Sequence, residues 1–393
     1  MVLIETFAWL AAGPPALALL IYSLEVAAGL AETCGGTVPS GDAGSIAILI
    51  PAHNEAAGIA ATVAGLKAVA PKGTRFLVIA DNCDDDTLSL ARAAGAEVAE
   101  RFDSELRGKG YALAFGRDVL AHNPPATVIV VDADCELASG SVENLCQATA
   151  QGTPAQAANL IIPDRSAPAL VQISSFALLV KNLVRSRGLS RIGRCALLTG
   201  TGMAFPWAIF ATAPLASGDI AEDLGLGIAL TRSGVRTQLV TGAMVRSRAA
   251  TLGDSAAQRR RWEHGFLANA LRHALPTLAA GLTQGSRSMI ALGLHLLVPP
   301  LALLFLVAGA ALAVLAGIGT LWAIWSPAIL LAVAMVTALV LTTIAWLRHG
   351  RETLAFTALL QAPLYVAWKI PNYLRFLFNR ETRWQRTRRE GDA

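Results

Sequence analysis

Residues 127–135 read TVIVVDADC, an unbroken β-branched run that delivers two aspartates, Asp132 and Asp134, one residue apart. Runs of this kind fit a strand buried on both faces, as in a parallel sheet with helices on either side. Two upstream runs, IAILI at 46–50 and RFLVIA at 75–80, have the same character, with helical stretches expected near 57–69, 86–94 and 109–121. The alternation predicts an α/β domain whose ligand crevice lies outside the carboxyl ends of its strands. No G-x-G-x-x-G follows the first strand and no Walker A sequence is present. A dinucleotide or a P-loop nucleotide is therefore disfavoured.

Each strand end carries polar residues: PAHNE at Pro51–Glu55, DNCDDDT at Asp81–Thr87, and the pair Asp132 and Asp134. PAHNE could equally be a strand-to-helix turn with Asn54 as N-cap, and Asp84–Asp86 read best as a loop that caps the next helix. Asp81, directly at a strand end, can accept hydrogen bonds from a base edge. Asp132 and Asp134 offer oxygen ligands suited to Mg²⁺ or Mn²⁺ beside a phosphate. Downstream, GTGMAF at 200–205 places Gly200 and Gly202 around Thr201, which suits close backbone approach to a ligand or a plain turn. Glu222 and Asp223 open a helix, where acidic residues are favoured in any case. QRRRW at 258–262 combines a planar amide, guanidiniums and an indole: Arg261 offers a fork for phosphate and Trp262 a face for a sugar ring.

Outward from this domain the chain turns apolar. Of 393 residues, 54% are hydrophobic and 15% charged, and mean hydropathy is +0.51, which together indicate a membrane protein. Three spans are expected, at 2–24, 289–317 and 327–347, with Pro299 and Pro300 kinking the second and Trp322 and Trp325 at the turn that follows it. The spans carry almost no charge, which argues against a transporter. Arg259, Arg260, Arg261, Arg272 and Arg287 before the second span, and Arg348 and Arg351 after the third, make both flanks cytoplasmic. The stretch 353–378 leads into a tail with Arg380, Arg383, Arg386, Arg388 and Arg389 and reads as a helix lying in the inner interface. The expected organisation is an anchor at 1–30, a cytosolic domain at 45–270, two spans within 289–347, and an interfacial helix with a basic tail at 353–393. Five cysteines at irregular spacing (Cys34, Cys83, Cys135, Cys146 and Cys195) read as reduced packing residues, and a net charge of +4 is too small to argue for nucleic acid.

The order of these motifs, an early strand-end Asp, a D-x-D, an E-D pair and Q-x-x-R-W, resembles the membrane-embedded family 2 glycosyltransferases of GT-A fold. That group includes cellulose, hyaluronan and poly-N-acetylglucosamine synthases and ceramide glucosyltransferases, and the match runs from about residue 46 to 265. The resemblance implies a GT-A nucleotide-sugar domain carried by one N-terminal and two C-terminal spans in a bacterial-type inner membrane. It implies a nucleotide sugar, UDP-linked in the family's manner, as donor, a lipid or glycan as acceptor, and Mg²⁺ or Mn²⁺. By the same resemblance Pro51, Glu55 and Asp81 belong to the nucleoside side, Lys109 and Asp132 to the diphosphate, and Asp134 with Asp132 to the metal. Asp223 would be the base with Glu222 as helper; Gly200, Thr201, Gly202, Gln258 and Trp262 would face the acceptor, with Arg261 at the diphosphate. His53 stands where a Tyr is frequent. Three spans do not easily enclose a polymer channel, so transfer of one sugar to a lipid or lipid-linked acceptor is favoured. A processive synthase acting as an oligomer and a catalytically silent membrane scaffold are the alternatives.

Overall fold

The three apolar runs form the centre of one mixed sheet. In the computed structural model, residues 1–31, 44–247 and 252–378 are described, the side chains of 252–258 and Leu377 excepted. Cys34, most of the glycine-rich stretch 35–44, the Gln258 side chain and the tail arginines from Arg380 onward lie outside the described residues. The strands are β1 (Ile46–Ala52), β2 (Arg75–Asp81), β3 (Glu97–Arg101), β4 (Thr127–Val130), β5 (Cys135–Leu137), β6 (Ala155–Ile161), β7 (Met203–Pro206) and β8 (Gln238–Ser247). Their order is β3-β2-β1-β4-β7-β6-β8-β5. The first four are parallel, whereas β7 runs antiparallel to both β4 and β6.

Alternation along β1 explains why both faces of the sheet are covered. Ile46, Ile48 and Ile50 point into one core with Val63, Leu66, Val142 and Leu145, while Ala47 and Leu49 point into the other with Leu113, Leu120, Phe205 and Phe210. Helices Ile59–Val69, Thr87–Ala93 and Lys109–Leu120 fall where the sequence places them. Strand β3 has no apolar run: EVAER is mostly exposed or half-buried, and its place at the sheet edge accounts for that. Asn54 does not cap the following helix, whose N-cap is Gly58. Its amide instead pairs with Asp84, in the loop after β2, and receives the Asp84 N–H. Cys83, Cys135, Cys146 and Cys195 are free thiols.

The chain forms two compact units. The sheet unit takes the described residues of 32–162 and Gly193–Asn269; the other takes Met1–Ala31, Pro163–Ile192 and the described residues from Ala270 onward. Among the described residues three helices, all in the second unit, are long and apolar enough to cross a membrane: Val2–Gly29, Leu301–Trp322 and Ser326–Gly350. Pro299 and Pro300 do not kink a single span. They separate helix Arg287–Leu296 from Leu301–Trp322, with Pro300 as an extended N-cap (φ −50°, ψ 142°). A proline ring forces an extended conformation on the residue before it, so two in succession end a helix more readily than they bend one. Trp322 ends one span and Trp325 caps the next. The stretch after the third span folds as helices Phe356–Leu359 and Ala362–Phe378.

Glu25 lies just past the expected first span. The first helix continues to Gly29 and buries this carboxylate, which is 4% exposed. Arg185, on a π-helical turn at Val180–Arg185, donates from Nε to Glu25 Oε2 at 2.7 Å, and His295 Nδ1 lies 2.7 Å from Oε1. The Arg185 guanidinium stacks 5.6 Å from the centre of the Tyr22 ring, whose hydroxyl bonds Thr342 at 2.7 Å. A charge buried this deeply persists because each partner offsets the other's desolvation.

Candidate functional site

The strand ends converge. His53 Nδ1, at the end of β1, lies 2.8 Å from the Asp81 carbonyl at the end of β2, and the Glu55 N–H donates to Thr87 Oγ1 at 2.7 Å. Pro51 is the sixth residue of β1, in register with Ile79. Asp85 accepts from the N–H groups of Ala56 and Thr87, a loop-fixing role in keeping with its place before helix Thr87–Ala93.

Beyond β4 the chain turns sharply, with the Cys135 N–H donating to the Asp132 carbonyl, so that Asp132 and Asp134 stand together. Ligand atoms of Asp132, Asp134 and Cys135 lie within 4.8 Å of one another. Lys109, the first residue of its helix, reaches across to pair with Asp132 and donates to the Gly200 carbonyl at 2.7 Å. Gly200 adopts φ +81°, and a Cβ there would lie 3.2 Å from Asp223 Oδ2 and 3.3 Å from Lys109 Nζ. Its lack of a side chain is what lets the E-D pair, the lysine and the D-x-D share one place.

The loop that carries Gly200, Thr201 and Gly202 is held from beneath. Gln156, buried in β6, donates to the Thr201 carbonyl at 2.9 Å and accepts from the Thr199 N–H at 3.0 Å. Thr201 is itself buried, and its hydroxyl accepts from the Asp132 N–H at 3.1 Å, while the Gly202 N–H donates to Val130. Gln156 had no signal in the sequence; a lone Gln in AQAANLI looks like an interruption of a strand.

Carboxyl groups crowd this centre. Burial, followed by the neighbouring Asp223 carboxylate, pushes Glu222 up to about 8. Asp132 is also raised, by burial and by Asp134 and Asp223, although Lys109 opposes the shift. Burial alone would lower the Lys109 ammonium; Asp132 and Glu222 outweigh it and hold Lys109 above its ordinary value. Carboxyl groups this close together favour a divalent cation, which Asp134 and Asp132 would hold. The Cys135 thiol is pushed well above its ordinary value by burial and stays protonated, so Asp134 and Asp132 are the fitting ligands for a hard cation.

Helix Leu252–Gln284 carries the remaining motif, with Trp262 exposed and Arg261 half-buried. Gly265 brings this helix against Ala221, the N-cap of helix Glu222–Arg232, where a Cβ would lie 2.9 Å from that of Ala221. The structure thus gathers Asp132, Asp134, Lys109, Gly200, Glu222 and Asp223, sets His53 and Asp81 side by side, and packs the Arg261–Trp262 helix beside the Glu222 helix. Arg101, for which the sequence carries no signal, and Asn82, within DNCDDDT, bond the Asp81 carboxylate at 2.6 and 3.0 Å.

The whole chain resembles a solved mannosyltransferase from Pyrobaculum calidifontis, in complex with GDP-mannose and Mn²⁺, at TM-score 0.60 and 18% identity, over 96% of this chain and 100% of that one. Glucosyl-3-phosphoglycerate synthase from Mycobacterium tuberculosis, solved with Mn²⁺, UDP-glucose and phosphoglyceric acid, aligns over 57% of this chain and 79% of its own at TM-score 0.40 and 23% identity. No curated protein matches the chain. The model of glycosyl transferase family 2 matches residues 47–169, and that of glycosyl transferase family group 2 matches 127–366, more than half of the chain. With its mixed sheet of GT-A type and its helices apolar enough to cross a membrane, the chain belongs to the family 2 glycosyltransferases.

Proposed function

We propose that this glycosyltransferase is a metal-dependent, inverting enzyme that moves one sugar from a nucleoside diphosphate sugar to a lipid or lipid-linked acceptor at the inner leaflet. The observation that carries the reading is the meeting of Lys109, Asp132 and Asp223 around Gly200, because it sets a diphosphate-binding group and an ionisable base on one spot. In this reading Lys109 and Arg261 hold the diphosphate as charge develops on it. Mg²⁺ or Mn²⁺, held by Asp134 with Asp132, supplies further neutralisation of that charge when bound. Asp223 takes the proton from the acceptor hydroxyl, and Glu222, neutral below about pH 8, leaves its neighbour as the ionised member of the pair. A single displacement from the face opposite the leaving group inverts the anomeric carbon, so an α-linked donor gives a β-glycoside.

Residues 45–270 are taken as the cytosolic catalytic part and 353–378 as a helix in the inner interface. The lipid acceptor is supported by the span count: three candidate spans do not surround a hydrated polymer, whose hydroxyls are costly in hydrocarbon. Purified protein in detergent, given a panel of nucleotide sugars with bacterial lipid extract, should release nucleoside diphosphate and label a small lipid product. A high-molecular-weight, glycosidase-sensitive polymer made without added acceptor would establish the processive alternative instead. Full activity in excess chelator would remove the metal from the scheme. A reporter fused after Ala393 should be active on the cytosolic side.

A further inference from the structure

Strand β6 carries two side-chain amides, Gln156 and Asn159, and both reach the loop at 199–202. Residues three apart on a regular strand face opposite sides of the sheet. Here β6 shifts register between Ala157 and Ala158, and the irregularity brings both amides to one loop. Asn159 Nδ2 donates to the Thr199 carbonyl at 3.1 Å. Gln156, 1% exposed, accepts the Thr199 N–H at 3.0 Å and donates from Nε2 to the carbonyls of Thr201 at 2.9 Å and Ala157 at 2.8 Å. One planar group thus grips the loop on both sides of Gly200. Between the gripped residues Gly200 takes φ +81°, and its carbonyl accepts from Lys109 Nζ at 2.7 Å. With Asp132 and that carbonyl taking two of the three donors of the Lys109 ammonium among the described residues, the direction of the third is fixed.

We propose that Gln156 is a positioning residue for sugar transfer: gripping both flanks of Gly200, it aims that carbonyl at Lys109 and so sets the third ammonium donor toward the departing diphosphate. The inference rests on the glycosyltransferase reading above, in which Lys109 meets the diphosphate, and it adds the residue that places the lysine. The chemistry of the grip requires an amide. Its oxygen answers an N–H and its nitrogen answers carbonyls, from one rigid end. A thioether of the same length would fill the space but leave the Thr199 N–H and the Thr201 carbonyl without this partner, in a place closed to water. A carboxylate would set its charge against the carbonyls of Ala157 and Thr201. The same loop also receives Asp132, whose N–H donates to the Thr201 hydroxyl at 3.1 Å, so the ammonium and its carboxylate partner are referred to one support.

The full-length protein in detergent, with Mn²⁺ present, can be titrated calorimetrically with UDP and with GDP, and the tighter of the two carried through the variants. Gln156→Met should weaken its binding about 10- to 100-fold, the range expected for misplacing one hydrogen bond to a charged group. Lys109→Met should weaken it at least as much, and Gln156→Met added to that variant should change the affinity by no more than about twofold, because residues acting through one contact do not add. Losses that multiply in the double variant would mean that Gln156 supports the fold independently of Lys109, and would overturn the proposal while leaving the glycosyltransferase reading standing. Parent-like affinity in Gln156→Met would do the same. Absence of binding by both nucleotides to the parent would overturn both. The unaltered chain supplies a measurement that stands even where a variant fails to fold: amide hydrogen exchange across residues 199–202 should be slow without nucleotide and little changed by it. Fast exchange that slows only when nucleotide binds would show that the grip is not set beforehand, and would overturn the proposal.

Discussion

Clusters of charge occur in both units of this chain, half-buried in the sheet unit and buried in the other. In the sheet unit Asp132, Asp134, Glu222 and Asp223 gather beside Lys109, and burial together with the Asp223 carboxylate drives Glu222 up to about 8. In the other unit Glu25 meets Arg185 and His295, each carboxylate oxygen has a partner at 2.7 Å, and Arg185 is stacked on Tyr22. The first arrangement favours a bound cation; in the second, both oxygens of the carboxylate are already paired. Crowded carboxyl groups therefore mark the candidate site, and paired charge marks a joint between helices.

The largest effect should come from the crowded site, at the proposed base. Asp223→Asn should lower transfer about 10²- to 10⁴-fold while nucleoside diphosphate binding persists; near-normal turnover with Asn at this position would move the base elsewhere. Next is the matched cluster. Arg185→Met should cost about 3–5 kcal/mol by stranding Glu25, whereas Glu25→Met with Arg185→Met should recover much of that loss in thermal unfolding followed in detergent. Equal destabilisation by the single and double variants would show that packing rather than charge pairing governs this joint.

A subtler comparison uses pH. The value of Glu222 in the folded chain, about 8, lies above its ordinary 4.5. Its contribution to stability is therefore complete below about 4.5 and is lost as pH rises through about 8. Glu222→Gln should melt no higher than the parent near pH 5 and above it at pH 9, and a pH-independent difference would contradict the assignment. The smallest effect belongs to Thr342→Val, which removes the Tyr22 hydroxyl's partner and should cost roughly 0.6–1 kcal/mol.

Much of the sheet was legible because β1, β2 and β4 are buried on both faces and must be apolar throughout; their ends then point polar residues one way. The edge strand β3 left no such trace, and with it Arg101 escaped notice, since an exposed EVAER looks like any solvated stretch. The segment ALVQISSFALLVKNLVR at 169–185 leaves no trace for the opposite reason. It is too apolar to stand out from a core helix and too interrupted by Gln172, Lys181 and Arg185 to read as a span, although it belongs to the unit that holds the spans. Arg185 resembled the many cytosolic arginines of this chain, because a buried ion pair between residues 160 positions apart leaves no local pattern. The D-x-D and E-D motifs were visible as chemistry; that Gly200 and Gln156 bring them together depends on pairings of β6 and β7 that no periodicity reports.

That distance along the chain also orders events in time. Glu25 is synthesised 160 residues before Arg185 and 270 before His295. At about 5–20 residues per second, its first partner emerges on the order of 10–30 s after the helix that needs it. Until then the N-terminal helix carries an acid with no match, and its final seating must wait for the ribosome to pass the middle of the message. A nascent chain interrupted before position 185 consequently bears a polar blemish that the finished protein conceals, which gives a membrane quality-control protease a physical basis for telling one from the other.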